Sequence, residues 1–104
     1  MALRVRVCRV NEVVPDELRA FRVKGVTWPV MVMIVDGAIV ATAGVCPHED
    51  VELVDGYLFG KMVVCPAHAY SYDVTTGRCT HDPDLNLRRY AVTIVGDEVW
   101  ADLL

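Results

Sequence analysis

The sequence predicts an all-β fold, because short runs of strand-forming residues alternate with tight-turn residues along most of the chain. Three dipeptides that favour tight turns are spread through it, Asp36-Gly37, Asp55-Gly56 and Gly96-Asp97. No long stretch repeats its apolar residues every 3.6 positions, as an amphipathic helix would. Many short strands at this spacing are typical of a sandwich or a barrel.

The strands can be placed in order from these patterns. Leu3, Val5 and Val7 alternate with arginines, which indicates a half-buried first strand. Later strands are predicted at residues 21–24, 30–35, 38–43, 62–64, 70–74, 78–80, 90–95 and 98–104.

Size and composition indicate a single domain spanning residues 1–104. Hydrophobic residues make up 54 % of the 104-residue chain, which is too many for a disordered protein. There are no internal repeats, low-complexity tracts or linker-like stretches, so a second domain is not expected.

Residues 25–46 contain one charged residue, Asp36, and are the segment to consider as a membrane span. A transmembrane helix would place Asp36 near its centre, at a cost of about 2.5–3.5 kcal/mol. The same residues suit two strands around an Asp36-Gly37 turn. We therefore predict a hairpin. No signal peptide is expected, because arginines interrupt the N-terminus before an apolar stretch forms.

Two short motifs, each with one cysteine and one histidine, form the candidate functional site. Cys46-Pro47-His48 reads C-x-H, and Cys65-Pro66-Ala67-His68 reads C-x-x-H after sixteen intervening residues. Both motifs follow predicted strands, and the second follows its strand directly, so rigid strands would hold them in loops. Two thiolates and two imidazoles suit a tetrahedral zinc site, and they also suit an iron–sulfur centre with mixed ligands.

The ligand types, their order and their two spacings resemble the Rieske [2Fe–2S] family. The stretch Tyr72-Asp73-Val74-Thr75-Thr76-Gly77 is similar to the aromatic-Asp-x-x-Thr-Gly element of that family, and Pro83 lies where a third, proline-containing loop is found. The resemblance covers about residues 30–104. It implies the Rieske fold, an antiparallel β base with a small inserted cluster-binding lobe. The base would be residues 1–43 and 85–104, and the lobe about residues 44–84.

The resemblance also implies one [2Fe–2S] cluster and its ligands. Cys46 and Cys65 would bind one iron as thiolates, while His48 and His68 would bind the other. The two histidines make the oxidised centre less negative than a four-cysteine cluster, which raises its reduction potential. In the family the histidine ligands reach the protein surface, so electrons are expected to leave near His48 and His68.

The implied role is that of a one-electron carrier rather than an enzyme. The chain shows no nucleotide-binding loop, catalytic triad or spare set of ligands for a mononuclear iron. It also lacks the extra loop cysteines of respiratory members. We expect a soluble, cytoplasmic ferredoxin that takes electrons from a flavin-dependent reductase. It would pass them to a mono- or dioxygenase acting on aromatic or other hydrophobic substrates. The alternatives are the small subunit of an assimilatory nitrite reductase and a zinc-held structural module.

The charge distribution separates the predicted lobe from the rest of the chain. Residues 46–84 carry seven acidic and two basic side chains, a net charge of −5, whereas the remainder carries +1. An acidic surface around the electron exit would favour a basic partner and weaken binding at high salt. It argues against binding to nucleic acid.

Four residues outside the motifs keep open interpretations. Tyr72 either donates a hydrogen bond to the sulfur of Cys46 or simply fills the core. Cys8 and Cys79 are either a disulfide pair or separate buried thiols, of which the second is more common. His81 falls outside both motifs and is predicted to be a solvated loop residue.

Overall fold

The computed structural model describes residues 3–48, 51–67 and 70–103. The predicted ligand His68 therefore lies outside the described residues. Within those ranges the regular structure consists of nine β-strands and two short 3₁₀ turns, with no α-helix. The all-β prediction is confirmed.

The strands form two antiparallel sheets. The larger sheet has the order β1-β9-β8-β4-β3-β2, and the smaller has the order β5-β6-β7. Their bounds in chain order are β1 Arg4–Arg9, β2 Arg19–Phe21, β3 Val30–Val35, β4 Ala38–Ala43, β5 Tyr57–Phe59, β6 Met62–Val64, β7 Ser71–Asp73, β8 Arg89–Val95 and β9 Glu98–Asp102. The smaller sheet thus falls entirely within the range predicted for the cluster-binding lobe.

Strand β3 contributes to both hydrophobic cores, because successive side chains of a strand point to opposite faces. Val30 and Val32 lie in one core with residues of β1, β4, β8 and β9. Met31, Met33 and Val35 lie in the other core with residues of the smaller sheet and the two cysteine motifs. The strand is apolar at every position for this reason, and it anchors the site to the larger sheet.

The β3–β4 hairpin confirms the interpretation of the apolar segment as two strands. The strands pair in register from Val30 with Ala43 to Val35 with Ala38. Asp36 and Gly37 have φ angles of 51° and 79°, the left-handed conformation that two-residue hairpin turns require. No helix in the described ranges is long and apolar enough to cross a membrane.

The structure differs from the predicted strands in four places. The second strand is Arg19–Phe21 rather than residues 21–24, and residues 78–80 pair with β7 only through an isolated bridge and loop hydrogen bonds. Strand β5, Tyr57–Phe59, was not predicted; it pairs with β6 across a two-residue turn at Gly60 and Lys61. In β1 the register shifts between Arg6 and Cys8, so Val7 and Cys8 are both buried.

Candidate metal centre

The two cysteine motifs lie in loops that close in the same way. The backbone N–H of Cys46 donates to the carbonyl of Val51 at 2.9 Å, and that of Cys65 donates to the carbonyl of Tyr70 at 2.8 Å. Each cysteine therefore begins a loop, and a hydrogen bond to the residue five positions later closes that loop. Strand β6 ends one residue before Cys65, whereas β4 ends three residues before Cys46.

The first loop has a further set of backbone contacts at its base. Val45 and Glu52 form an antiparallel bridge, and the N–H of Leu53 donates to the carbonyl of Gly44 at 2.9 Å. Leu53 is fully buried in the same core as the two motif cysteines. Packing and hydrogen bonds thus fix both ends of the loop that carries Cys46 and His48.

The site has a buried sulfur side and an exposed imidazole side. Cys46 and Cys65 are 2 % and 1 % exposed and share one hydrophobic core. His48, two residues after Cys46, is exposed. The structure therefore places both predicted thiolate ligands in the interior and one predicted imidazole ligand at the surface.

Tyr72 contacts the sulfur side of the site. Its phenol oxygen lies 3.3 Å from the sulfur of Cys46, and its side chain is fully buried. Burial, and next the hydrogen bond to Cys46, raise the pKa of Tyr72 well above its usual range. The phenol keeps its proton, so it can donate to a thiolate at Cys46. Tyr72 therefore fills the core and also contacts the sulfur of Cys46, so it does more than pack.

Three aromatic rings stack on the imidazole side. The rings of His48 and Tyr70 have centroids 4.3 Å apart with an interplanar angle of 25°. Tyr70 also stacks on His81, with centroids 4.9 Å apart and an angle of 7°. His81 is exposed, as predicted, but its place in this stack was missed. Nothing in its spacing from the motifs could have indicated it, because the contact depends on how the third loop folds.

The turn after β7 is tied to the turn between β5 and β6 by Asp73 and Lys61. The carboxylate of Asp73 accepts a hydrogen bond from the N–H of Thr75 at 2.8 Å and lies 3.3 Å from the ammonium of Lys61. Burial acts to raise the pKa of Asp73, but the bonds from Thr75 and the nearby Lys61 outweigh it and lower that pKa. Gly77 closes the turn with a φ of 86°, a positive value that glycine adopts without strain.

The other two cysteines lie in different cores. Cys8 is buried in the core of the larger sheet, and Cys79 is buried in the core beside the motifs. Both are free thiols, so the possible disulfide between them is absent. Burial, and then the nearby Glu12, raise the pKa of Cys8 to about 11. It is therefore a protonated, unreactive thiol at neutral pH.

The described donors are compatible with an iron–sulfur cluster. Two buried sulfurs on one side and an exposed imidazole on the other match the two unlike irons of a [2Fe–2S] centre with mixed ligands. Among residues 3–48, 51–67 and 70–103, no three His, Cys, Asp or Glu side chains come close enough together to hold one metal ion.

Comparison with known proteins relates the chain to one family and to ferredoxins. The profile of the Rieske [2Fe–2S] domain family matches residues 4–91. The ferredoxin component of biphenyl 2,3-dioxygenase from Rhodococcus jostii (strain RHA1) is 35% identical over 99% of this chain and 94% of its own.

Two solved structures are also similar. A ferredoxin from Sphingomonas yanoikuyae B1 superposes with a TM-score of 0.88 at 31% identity, covering 98% of this chain and 100% of its own. A chain in the complex of reduced oxygenase and oxidized ferredoxin of carbazole 1,9a-dioxygenase superposes with a TM-score of 0.84 at 26% identity. That match covers 95% of this chain and 92% of the other.

Proposed function

The chain belongs to the Rieske [2Fe–2S] domain family and is an electron carrier with one [2Fe–2S] cluster, and on that premise we propose which residues bind it and which proteins it serves. Cys46 and Cys65 bind one iron as thiolates. His48 and His68 bind the other iron as neutral imidazoles. When bound, the cluster accepts and releases a single electron.

The observation that carries this assignment is that the sulfur side of the site is buried and the imidazole side is exposed. Both sulfurs are almost fully buried beside Tyr72, whereas His48 lies two residues away at the surface. A thiolate in such a core needs a positive partner or a hydrogen bond, and the phenol of Tyr72 provides one bond to Cys46. The sulfur half is thus screened from solvent, and the imidazole half is where an electron can cross to another protein.

The proposed partners are a flavin-dependent reductase and an oxygenase of a system that acts on aromatic or other hydrophobic substrates. The similarity to a biphenyl 2,3-dioxygenase ferredoxin over nearly the whole chain supports an oxygenase partner. The oxygenase–ferredoxin complex among the structural neighbours supports direct docking. The oxygenase docks against the His48 side of the protein, and the system is cytoplasmic.

The charge of the lobe supports a basic docking surface on the partner. Residues 46–84 carry a net charge of −5, and acidic side chains in this range are exposed, among them Glu52, Asp55 and Asp84. Opposite charges on two proteins speed their encounter and fix its orientation, and salt screens this attraction. The affinity for the oxygenase should therefore fall as ionic strength rises.

The ligand assignment is tested by EPR spectroscopy on the dithionite-reduced protein. The unsubstituted protein should give a Rieske-type signal, which zinc could not give. Cys46→Ala and Cys65→Ala should abolish it. Cys8→Ala and Cys79→Ala are matched controls, because these cysteines are also buried but lie outside the motifs. A full signal in Cys46→Ala or Cys65→Ala would exclude that cysteine as a ligand.

The carrier role is tested separately, with a flavin-dependent reductase and an oxygenase purified from the organism that encodes this chain. Reduced protein should support oxygenase turnover, with a KM for the ferredoxin that rises with salt and an almost constant kcat. If the protein instead copurified as a fixed subunit of a large nitrite reductase, the carrier role would be wrong while the ligand assignment could stand.

A further inference from the structure

We infer that His81 is a positioning residue for the metal centre, acting through Tyr70 on the ring of His48. The inference rests on the proposed function, because it takes His48 to be an iron ligand. The third loop of the chain thereby takes part in fixing the electron-exit side of the site.

The geometry of the stack carries the inference. Tyr70 lies between two imidazoles, with its ring 4.3 Å from His48 and 4.9 Å from His81, measured between centroids. The planes of Tyr70 and His81 are nearly parallel, at 7°. Aromatic pairs at such distances attract each other beyond the area that they bury. His81 therefore holds one face of Tyr70, and Tyr70 holds one face of His48.

His81 is itself held in place, which a merely solvated side chain would not be. Its Nδ1 accepts a hydrogen bond from the backbone N–H of Ser71 at 3.4 Å and lies 3.0 Å from the hydroxyl of Thr80. Its backbone N–H donates to the sulfur of Cys79 at 3.4 Å. Because Nδ1 accepts from a backbone N–H, the neutral ring carries its proton on Nε2.

The support beneath His81 is the smaller sheet. The N–H of Thr80 donates to the carbonyl of Ser71 at 2.9 Å, and the N–H of Asp73 donates to the carbonyl of Arg78 at 2.8 Å. Tyr72 and Cys79 form an isolated bridge between these two segments. Residues 78–80 thus run beside β7 and place His81 at the edge of the sheet, next to Tyr70.

Tyr70 connects the two cysteine loops through different atoms. Its carbonyl accepts the N–H of Cys65, which closes the second loop, while its ring stacks on His48 in the first loop. A side chain that fixes the Tyr70 ring therefore acts on both loops at once. A ligand ring with a fixed orientation gives a single, well-defined electronic environment at the metal.

The test compares His81→Ala with His81→Phe in the full-length, cluster-loaded protein. His81→Ala removes the ring, whereas His81→Phe keeps the ring and removes the hydrogen bonds at Nδ1. Asn86→Ala is the matched control, since Asn86 is an exposed residue of the same loop. The readouts are pulsed EPR couplings of the histidine nitrogens in the reduced protein, and the rate of cluster loss to an iron chelator.

His81→Ala should broaden or shift the coupling of one histidine nitrogen and speed cluster loss by about two- to tenfold, the range expected from the loss of one aromatic pair. His81→Phe should restore both readouts to near the unsubstituted values, and Asn86→Ala should leave them unchanged.

Two results would overturn the inference alone, with the proposed function intact. The first is that the unsubstituted protein gives a Rieske signal and His81→Ala has the same nitrogen couplings and the same rate of cluster loss. The other is an equal change in His81→Ala and His81→Phe, which would assign the effect to the hydrogen bonds rather than to stacking. A missing Rieske signal in the unsubstituted protein would instead overturn the proposed ligand set, and this inference with it.

Discussion

The phenol oxygen of Tyr72 lies 3.3 Å from the sulfur of Cys46, in a core from which solvent is excluded. A hydrogen bond to a thiolate withdraws negative charge from the sulfur, and its effect is greatest where no water competes. Because reduction adds negative charge to the centre, this bond stabilises the reduced state more than the oxidised state. Tyr72 is thus expected to raise the reduction potential.

Substitution of Tyr72 by Phe tests this effect. The variant keeps the ring in the core but loses the donor, so its midpoint potential should fall by on the order of 50 mV. Tyr90→Phe is the matched control, because Tyr90 is also buried, in the other core, and its hydroxyl accepts a hydrogen bond from Trp28. A Tyr72→Phe protein that gains stability without any change of potential would limit Tyr72 to a packing role.

The midpoint potential should depend on pH if histidines bind the cluster. Ferric iron withdraws electron density from an imidazole and makes its remaining N–H more acidic. The oxidised protein then loses a proton at alkaline pH, and reduction takes it up again. The potential should be constant at low and neutral pH and then fall by up to about 59 mV per pH unit for each proton. If redox titrations gave the same midpoint potential from low to alkaline pH, histidine ligation would be excluded.

Gly77 should be intolerant of any side chain. It has a φ of 86°, and a Cβ atom there would lie 2.5 Å from the carbonyl oxygen of Leu87. Gly37 is the matched control, with a φ of 79° and no atom within 4 Å of such a Cβ. Gly37→Ala should lower the free energy of unfolding by about 1–2 kcal/mol. Gly77→Ala should lower it by roughly 1–3 kcal/mol more. Equal losses in denaturant titrations would show that Leu87 moves aside.

Asp73 should stabilise the protein in a pH-dependent way. Its pKa is lowered in the folded state, so its contribution is fully present above the ordinary carboxyl pKa of about 3.9. The contribution is lost as pH falls through the folded-state pKa. Asp73→Asn should lower the free energy of unfolding by about 1 kcal/mol at pH 7, and the difference should vanish in acid.

Unfolding curves at several pH values check this prediction. Asp97→Asn, at an exposed turn, is the control and should track the unsubstituted protein. A loss of stability in Asp73→Asn that is the same at pH 7 and in acid would show that the carboxylate charge is unimportant.

Much of the fold follows from local sequence patterns. The β3–β4 hairpin was predicted at its observed bounds, because its turn residues and its two apolar strands agree with each other. Strand β5 of the smaller sheet was not predicted. It pairs with β6 across a tight turn at Gly60 and Lys61, but its three apolar residues show no alternation that would distinguish a strand from a loop.

By itself the sequence determined the all-β fold, the family and the candidate ligands, since turn residues and ligand spacings are local properties of the chain. Only the tertiary structure decided what surrounds those ligands. It buried Cys46 and Cys65 beside Tyr72, and it stacked Tyr70 between His48 and His81. The physical reason is distance along the chain. Cys46 and Tyr72 are 26 residues apart, and no periodic pattern relates side chains that meet only when two sheets pack together.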